Sequence, residues 1–250
     1  MRMKVIVLLL VCLNGSGLFG QTQTTDKIQT NKGPLLINPV QHATFVLNWN
    51  KLTVYVDPTG GAKAFANFKR PDIVLITDIH GDHLDSTTLK AVCSSATKLV
   101  VPSAVAELLP TSLKKNLIIL KNSEKAKVSK LIITAIPMYN LPENSSSMHL
   151  KGRGNGYVIE AGNKTIYISG DTEDIPEMRD LKNIDLAFVC MNLPYTMDIN
   201  QAASAVLDFK PKIVYPYHYR GKDGLSDVNE FKKMVNSANR MIGVRLLKWY

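Results

Sequence analysis

Apolar residues recur along the chain in short runs, many rich in Val and Ile, separated by polar or glycine-containing breaks. A short apolar run bounded by turn residues predicts a buried strand, whereas apolar positions three and four apart predict a helix. Strands are therefore predicted at Leu36–Ile37, His42–Trp49 and Leu52–Val56, with Asn50-Lys51 as a hairpin turn. Strands at Ile73–Ile76, Lys98–Pro102, Leu117–Leu120 and Val128–Ile136 then alternate with helices at Ser86–Ser94 and Ser103–Leu109. The second half opens on a hairpin from Gly156 to Ser169 that turns at Ala161-Gly162-Asn163, followed by a strand at Ile184–Met191. Asn200–Phe209 reads as a helix, Lys212–Tyr217 as a strand, Val228–Ala238 as a helix and Val244–Trp249 as a last strand. Two β-rich halves with helices outside predict an α/β fold in which sheet packs on sheet.

The ends of the chain read differently. Arg2 and Lys4 precede an apolar run from Val5 to Leu13, and a small and polar stretch, Asn14 to Gln21, follows. That is the pattern of a secretory signal peptide spanning residues 1–20. The run falls well short of the about 20 residues that span a bilayer, so no stable transmembrane anchor is expected, and the mature chain is expected to be secreted or periplasmic. Residues 21–33, polar and rich in Thr and Gln, are expected to form a flexible lead to a single domain over residues 34–250. The formal charge of +9 favours anionic partners. Apart from a cluster at Lys121–Lys130 the lysines are scattered, with no aromatic-interleaved basic stripe, so no nucleic-acid partner is expected. Cys93 and Cys190, expected in an oxidising compartment, are either paired or buried, inert thiols, and the second reading is favoured.

The densest chemistry lies in Thr77-Asp78-Ile79-His80-Gly81-Asp82-His83, directly after the strand Ile73–Ile76. Alternate residues of an extended segment point to one side. Asp78, His80 and Asp82 then project together while His83 turns toward a neighbouring site, so one loop serves two metal ions. Three further histidines, His42, His149 and His218, lie at the ends of strand-like runs. Asp171 follows a strand in Ser169-Gly170-Asp171-Thr172, where the glycine lets backbone and metal approach closely. Tyr195 or Asn192, after the strand ending at Met191, is a candidate donor to an oxyanion, and equally a structural turn. Lys151, Arg153 and Arg220 flank the histidine-bearing loops and suit a small anionic substrate.

This ordered series resembles the metallo-β-lactamase superfamily, in the branch that includes ascorbate-phosphate lactonase and N-acylphosphatidylethanolamine phospholipase D. The residues that carry the likeness are His42-Ala43-Thr44, Asp78 to Asp85, Gly170-Asp171-Thr172 and His218 after Tyr215-Pro216-Tyr217. The resemblance implies an αββα sandwich of two mixed sheets with the site at one edge. It implies one metal held by Asp78, His80 and His149, a second by Asp82, His83 and His218, and Asp171 bridging them. It also implies that Asp82 orients the attacking water and shuttles its proton. Imidazole and carboxylate suit zinc, and a bound divalent ion lowers the pKa of its water from about 15.7 toward about 7. A hydroxide between two ions is then expected to cleave an ester, lactone or phosphoester. Asp78 stands where the family's first histidine belongs, and this harder ligand makes Mn or Fe more competitive. Two readings follow: a working binuclear hydrolase with altered metal preference, or a noncatalytic metal-binding domain whose first site has degraded.

Overall fold

The computed structural model describes residues 25–250; the signal-peptide expectation for residues 1–20 lies outside them. Seven strands run through the first half in sequence order: β1 (Asp26–Thr30), β2 (Gly33–Gln41), β3 (Thr44–Trp49), β4 (Leu52–Val56), β5 (Ile73–Leu75), β6 (Lys98–Val101) and β7 (Leu117–Ile119). Strands β1 to β4 form an antiparallel meander and β4 to β7 are parallel. A second seven-stranded sheet holds β8 (Lys125–Val128), β9 (Leu131–Met138), β10 (Gly154–Ala161), β11 (Lys164–Ile168), β12 (Leu186–Cys190), β13 (Ile213–Tyr217) and, paired beside β13, a short Gly243–Val244 strand. It too passes from antiparallel to parallel, at β11. A small ribbon of Arg220–Gly221 and Gly224–Leu225 follows β13. This is the α/β arrangement of two mixed sheets that the hydrophobic pattern predicts.

The helices, α1 (Gly61–Ala64), α2 (Ser86–Val92), α3 (Ser103–Leu108), α4 (Pro176–Arg179), α5 (Ile199–Phe209) and α6 (Val228–Ala238), are short. None among the described residues is long and apolar enough to cross a membrane.

Period-two side-chain alternation explains the layering. Phe45, Leu47, Val54, Val56, Ile73 and Leu75 point into the core shared with the second sheet, whereas Val46, Tyr55, Val74 and Ile76 point outward under α2 and α3. Both faces of the parallel strands are therefore buried, which is why these runs are continuously apolar. Between the sheets Phe45 stacks on Phe188 with ring centroids 4.4 Å apart, and Phe188 stacks on Tyr215 at 5.0 Å.

Several boundaries differ from the sequence expectation. The polar lead expected over residues 21–33 contains β1, which pairs with β2 from Asp26↔Ile37 to Thr30↔Gly33. Alternation is absent there because edge pairing uses backbone groups, and only Ile28 needs an apolar side chain. His42 lies outside the strand predicted to begin with it: its φ of 49° places it in the turn between β2 and β3. The single strand expected at Val128–Ile136 is the hairpin β8–β9, which turns at Ser129, φ 56°. Of Val244–Trp249 only Val244 pairs, while Trp249 is buried against Phe45 and Tyr217. Cys93 and Cys190 are both free, and burial pushes each thiol up to about 11, consistent with inert packing.

Candidate metal centre

Open sites in α/β sheets gather beyond the carboxyl ends of parallel strands, and the titratable residues singled out above lie at such ends. Asp78, His80, Asp82 and His83 follow β5, Asp171 follows β11 and His218 follows β13, while His149 sits on the long connection between β9 and β10. The β5 loop is tightly wound. His83 and Leu84 donate their backbone N–H to the His80 carbonyl, and Asp85 caps α2 by accepting from Thr87 and Thr88 N–H. Gly170 is required for the β11 loop: its φ is 62°, and a Cβ there would lie 2.6 Å from Met138 Sδ.

The side chains converge in two groups. Ligand atoms of Asp78, His80 and His149, the first group, lie within 4.8 Å of one another, and those of Asp82, His83, Asp171 and His218, the second, do likewise. Asp171 joins the groups: its Oδ2 is 3.3 Å from both His83 Nε2 and His149 Nε2, and its Oδ1 is 3.1 Å from His218 Nε2. Within the first group Asp78 Oδ2 is 2.6 Å from His80 Nδ1 and 3.9 Å from His149 Nε2.

Outer partners choose which nitrogen each ring presents. His83 Nδ1 donates to Asp57 Oδ2 at 2.9 Å, and Asp57 also accepts from the Thr77 N–H and hydroxyl, both at 2.7 Å. His149 Nδ1 donates to Asn140 Oδ1 at 3.1 Å. Each ring thus turns its Nε2 inward. That set fits divalent metal ions on three observations. His83 Nε2 faces His218 Nε2 at 3.2 Å, a spacing two lone pairs tolerate only with a cation or proton between them. Asp171 Oδ1 is buried without a hydrogen-bond partner. Imidazole nitrogen mixed with carboxylate oxygen is the donor chemistry of zinc, manganese and iron sites.

A family model described as the β-lactamase superfamily domain matches residues 37–218. A UPF0173 metal-dependent hydrolase of Pyrococcus abyssi is 30% identical over 211 residues, covering 80% of this chain and 92% of that protein. The chain belongs to the metallo-β-lactamase superfamily. It is, with these relatives, a metal-dependent hydrolase. The Pyrococcus horikoshii UPF0173 metal-dependent hydrolase matches at the same identity and coverage. The crystal structure of a candidate metal-dependent hydrolase from Parabacteroides distasonis is 36% identical with a TM-score of 0.80, over 91% of this chain and 100% of that one. A metallo hydrolase from Ignicoccus hospitalis, 24% identical with a TM-score of 0.71, shares the fold over 86% of this chain and 95% of that one.

In this hydrolase the buried acids and imidazoles set one another's charge. Burial opposes ionisation of Asp171, yet His218 and His83 outweigh it and hold the carboxyl well below its usual range. Burial equally opposes charge on His83, and Asp171 and Asp57 raise it well above the ordinary imidazole value. His218 is raised in the same way, chiefly by Asp171 against its burial. Asp57 itself is pushed up by burial. Without ions the cluster is balanced by protons, and metal binding would release them.

The cluster opens to a cavity of about 430 Å³ whose lining includes His42, Asp82, Asn192, Tyr195 and Arg220. Asn192 Oδ1 accepts from the Thr196 hydroxyl, while the Tyr195 carbonyl accepts from Asn140 Nδ2 at 2.8 Å. Asn140 therefore ties the His149 loop to the Tyr195 turn. Two cations expected to face substrate are engaged elsewhere. Lys151 pairs with Glu143 at 2.9 Å and Glu177 at 3.5 Å, and Arg153 pairs with Asp78. Arg220 remains at the cavity, its guanidinium 4.3 Å above the Tyr250 ring.

Two contributors escape a motif search. Asp57 is announced only by a carboxylate closing the apolar strand Leu52–Val56, and Asn140 by nothing in its surroundings. His42, which the sequence leaves open, reaches Asp82 Oδ2 at 3.1 Å and the Tyr250 hydroxyl at 2.7 Å. His42, Asp57 and His218 all have φ between 43° and 49°, a left-handed conformation at three site positions.

Proposed function

We propose that the chain cleaves an ester, lactone or phosphoester bond of a small anionic molecule at a two-ion centre, and that it acts outside the cytoplasm after loss of residues 1–20. The observation that supports this most is Asp171, whose two oxygens face donors of both groups at 3.1 to 3.3 Å. Asp78, His80 and His149 would hold one ion, Asp82, His83 and His218 the other, and Asp171 both. Zinc suits the donors best, with Mn or Fe made more competitive by Asp78. Divalent ions there supply a nucleophile made from water at neutral pH and positive charge facing a developing oxyanion.

The protein's own groups do the rest. Asp82, half-buried and hydrogen-bonded through Oδ2 to His42, presents a carboxylate oriented to hold the attacking water and take its proton. Asn192 and Tyr195 line the cavity and are the proposed donors to an oxyanion. Arg220 offers a cation to the substrate's anionic group. Asp57 and Asn140 keep the His83 and His149 rings from turning.

Elemental analysis of the purified chain, paired with turnover on an ester, lactone, phosphodiester and β-lactam panel, tests this reading. Two ions per chain when divalent metal is in excess, and a rate on one substrate class that exceeds His83→Ala, are expected. No rate above that variant on any of them would sink the hydrolytic proposal. The Arg153–Asp78 pair favours the rival, a noncatalytic domain with one working site, and a stoichiometry of one ion or none even with divalent metal in excess would support it.

A further inference from the structure

Asp78 combines two departures. It is a carboxylate where its neighbours in the first group are imidazoles, and among the described residues it is the only one of the seven clustered side chains with an arginine or lysine bonded to it. Arg153 Nη2 donates to Asp78 Oδ2 at 3.3 Å and Nε to Oδ1 at 3.4 Å, with Asp78 fully buried. The guanidinium is held there from behind. Its Nη2 also donates to the Met148 carbonyl at 2.5 Å, and its backbone N–H to the Leu150 carbonyl at 3.1 Å. Two residues on, Asn155 donates its N–H to the Thr77 carbonyl at 2.9 Å, which docks the start of β10 against the Thr77-Asp78 segment. Arg153 is therefore placed at Asp78 by the register of the fold as well as by attraction.

The oxygen matters most. Asp78 Oδ2, which faces His80 Nδ1 at 2.6 Å and His149 Nε2 at 3.9 Å, is also the oxygen that accepts from Nη2. An incoming divalent ion and the guanidinium thus claim the same atom. Like charges only a few ångströms apart in a buried site repel strongly, because little water screens them. The carboxylate adds one negative charge relative to an imidazole, and Arg153 cancels it.

We propose that Arg153 is a resident cation that competes with the first metal ion for Asp78 Oδ2, so that this ion binds more weakly than its neighbour and exchanges while the second stays. Arg153 is a positioning residue that tunes affinity through Asp78. The inference rests on the two-ion reading above. It replaces the idea of a degraded site with that of an adjustable one, filled only when metal is plentiful.

Calorimetric titration of the chelator-stripped full chain with Zn²⁺ tests it without any substrate. The wild type is expected to show a tight and a weaker constant, with His80→Ala abolishing the weaker. Arg153→Gln is expected to tighten the weaker constant by roughly 10- to 100-fold, the scale on which outer partners move metal affinity, and to leave the tight one unchanged. Arg153→Lys keeps the charge without the fork, so its weaker constant should stay close to wild type. Arg153→Met, which keeps the aliphatic stem, repeats the measurement if the glutamine variant does not fold. A weaker constant that is unchanged or further weakened in both neutral variants overturns the competition. A wild type that takes a single ion, or none, defeats the two-ion reading itself and is a distinguishable result.

Discussion

Replacing Asp57 by asparagine separates holding a metal from holding the fold. Asp57 is fully buried and accepts three hydrogen bonds: from Thr77 N–H and the Thr77 hydroxyl, both at 2.7 Å, and from His83 Nδ1 at 2.9 Å. An asparagine keeps one acceptor, and its Oδ1 can continue to serve the Thr77 N–H. Its amide then meets the Thr77 hydroxyl and His83 Nδ1. The hydroxyl can rotate to accept, but Nδ1 can accept only if the ring moves its proton to Nε2. That proton lands on the atom facing His218 Nε2 and Asp171 Oδ2, at 3.2 and 3.3 Å, where a lone pair is needed. Loss of such outer partners lowers metal affinity by about 10- to 100-fold, or about 1.4 to 2.7 kcal/mol at 1.36 kcal/mol per tenfold. The stripped fold should suffer less. One exchanged hydrogen bond is worth about 1 kcal/mol, which lowers the melting temperature of a domain this size by about 2–4 °C. Competition against a chelator of known affinity and melting of the stripped protein measure the two effects separately. Unchanged affinity for both ions in Asp57→Asn would refute the tautomer argument, as would a large melting loss with affinity intact.

Stripping the metal should itself destabilise the wild type: at an ion concentration 100 times the dissociation constant, binding contributes about 2.7 kcal/mol, and melting with and without chelator reads it. Phe45→Ala should cost about 3–5 kcal/mol, because Phe45 is fully buried and stacked on Phe188 between the sheets; a denaturant midpoint within error of wild type would show that the sheets do not depend on that contact. Arg220→Ala should raise KM more than it lowers kcat, since Arg220 lines the cavity with its guanidinium over the Tyr250 ring; a loss in kcat alone would place it in the chemistry instead. Far from the site, Asp26 is opposed by its own partial burial, yet Arg245 at 2.7 Å and the Tyr215 hydroxyl hold its carboxyl below 3.8. A depressed carboxyl contributes stability that is present above the unfolded value and lost as pH falls through the folded one. Asp26→Asn should therefore flatten the acid limb below about pH 4, by no more than about 1 kcal/mol for so exposed an arginine.

How much of this was legible before the fold depended on which force placed each residue. The αββα layers follow from side-chain alternation, which a sequence displays directly, and the β5 loop follows from four ligand types in one short run. The strand β1 was hidden because its contribution is made by backbone groups, which every residue carries. Asn140 was hidden for a different reason: its site partners, His149 and Tyr195, lie 9 and 55 positions away, and no local pattern encodes that meeting. Arg153 was visible but misread. A cation beside a histidine loop suggests an anionic substrate, and only the register of β10 on Thr77 reveals that the anion it meets is Asp78. The aspartate at the head of the loop departs from the family pattern, and the arginine before β10 is the partner that balances it. A carboxylate alone would strengthen the pull on any divalent ion, and an arginine alone would leave a buried charge unpaired. Only together do they keep the first group's charge near that of the histidine version while changing how firmly it holds its ion.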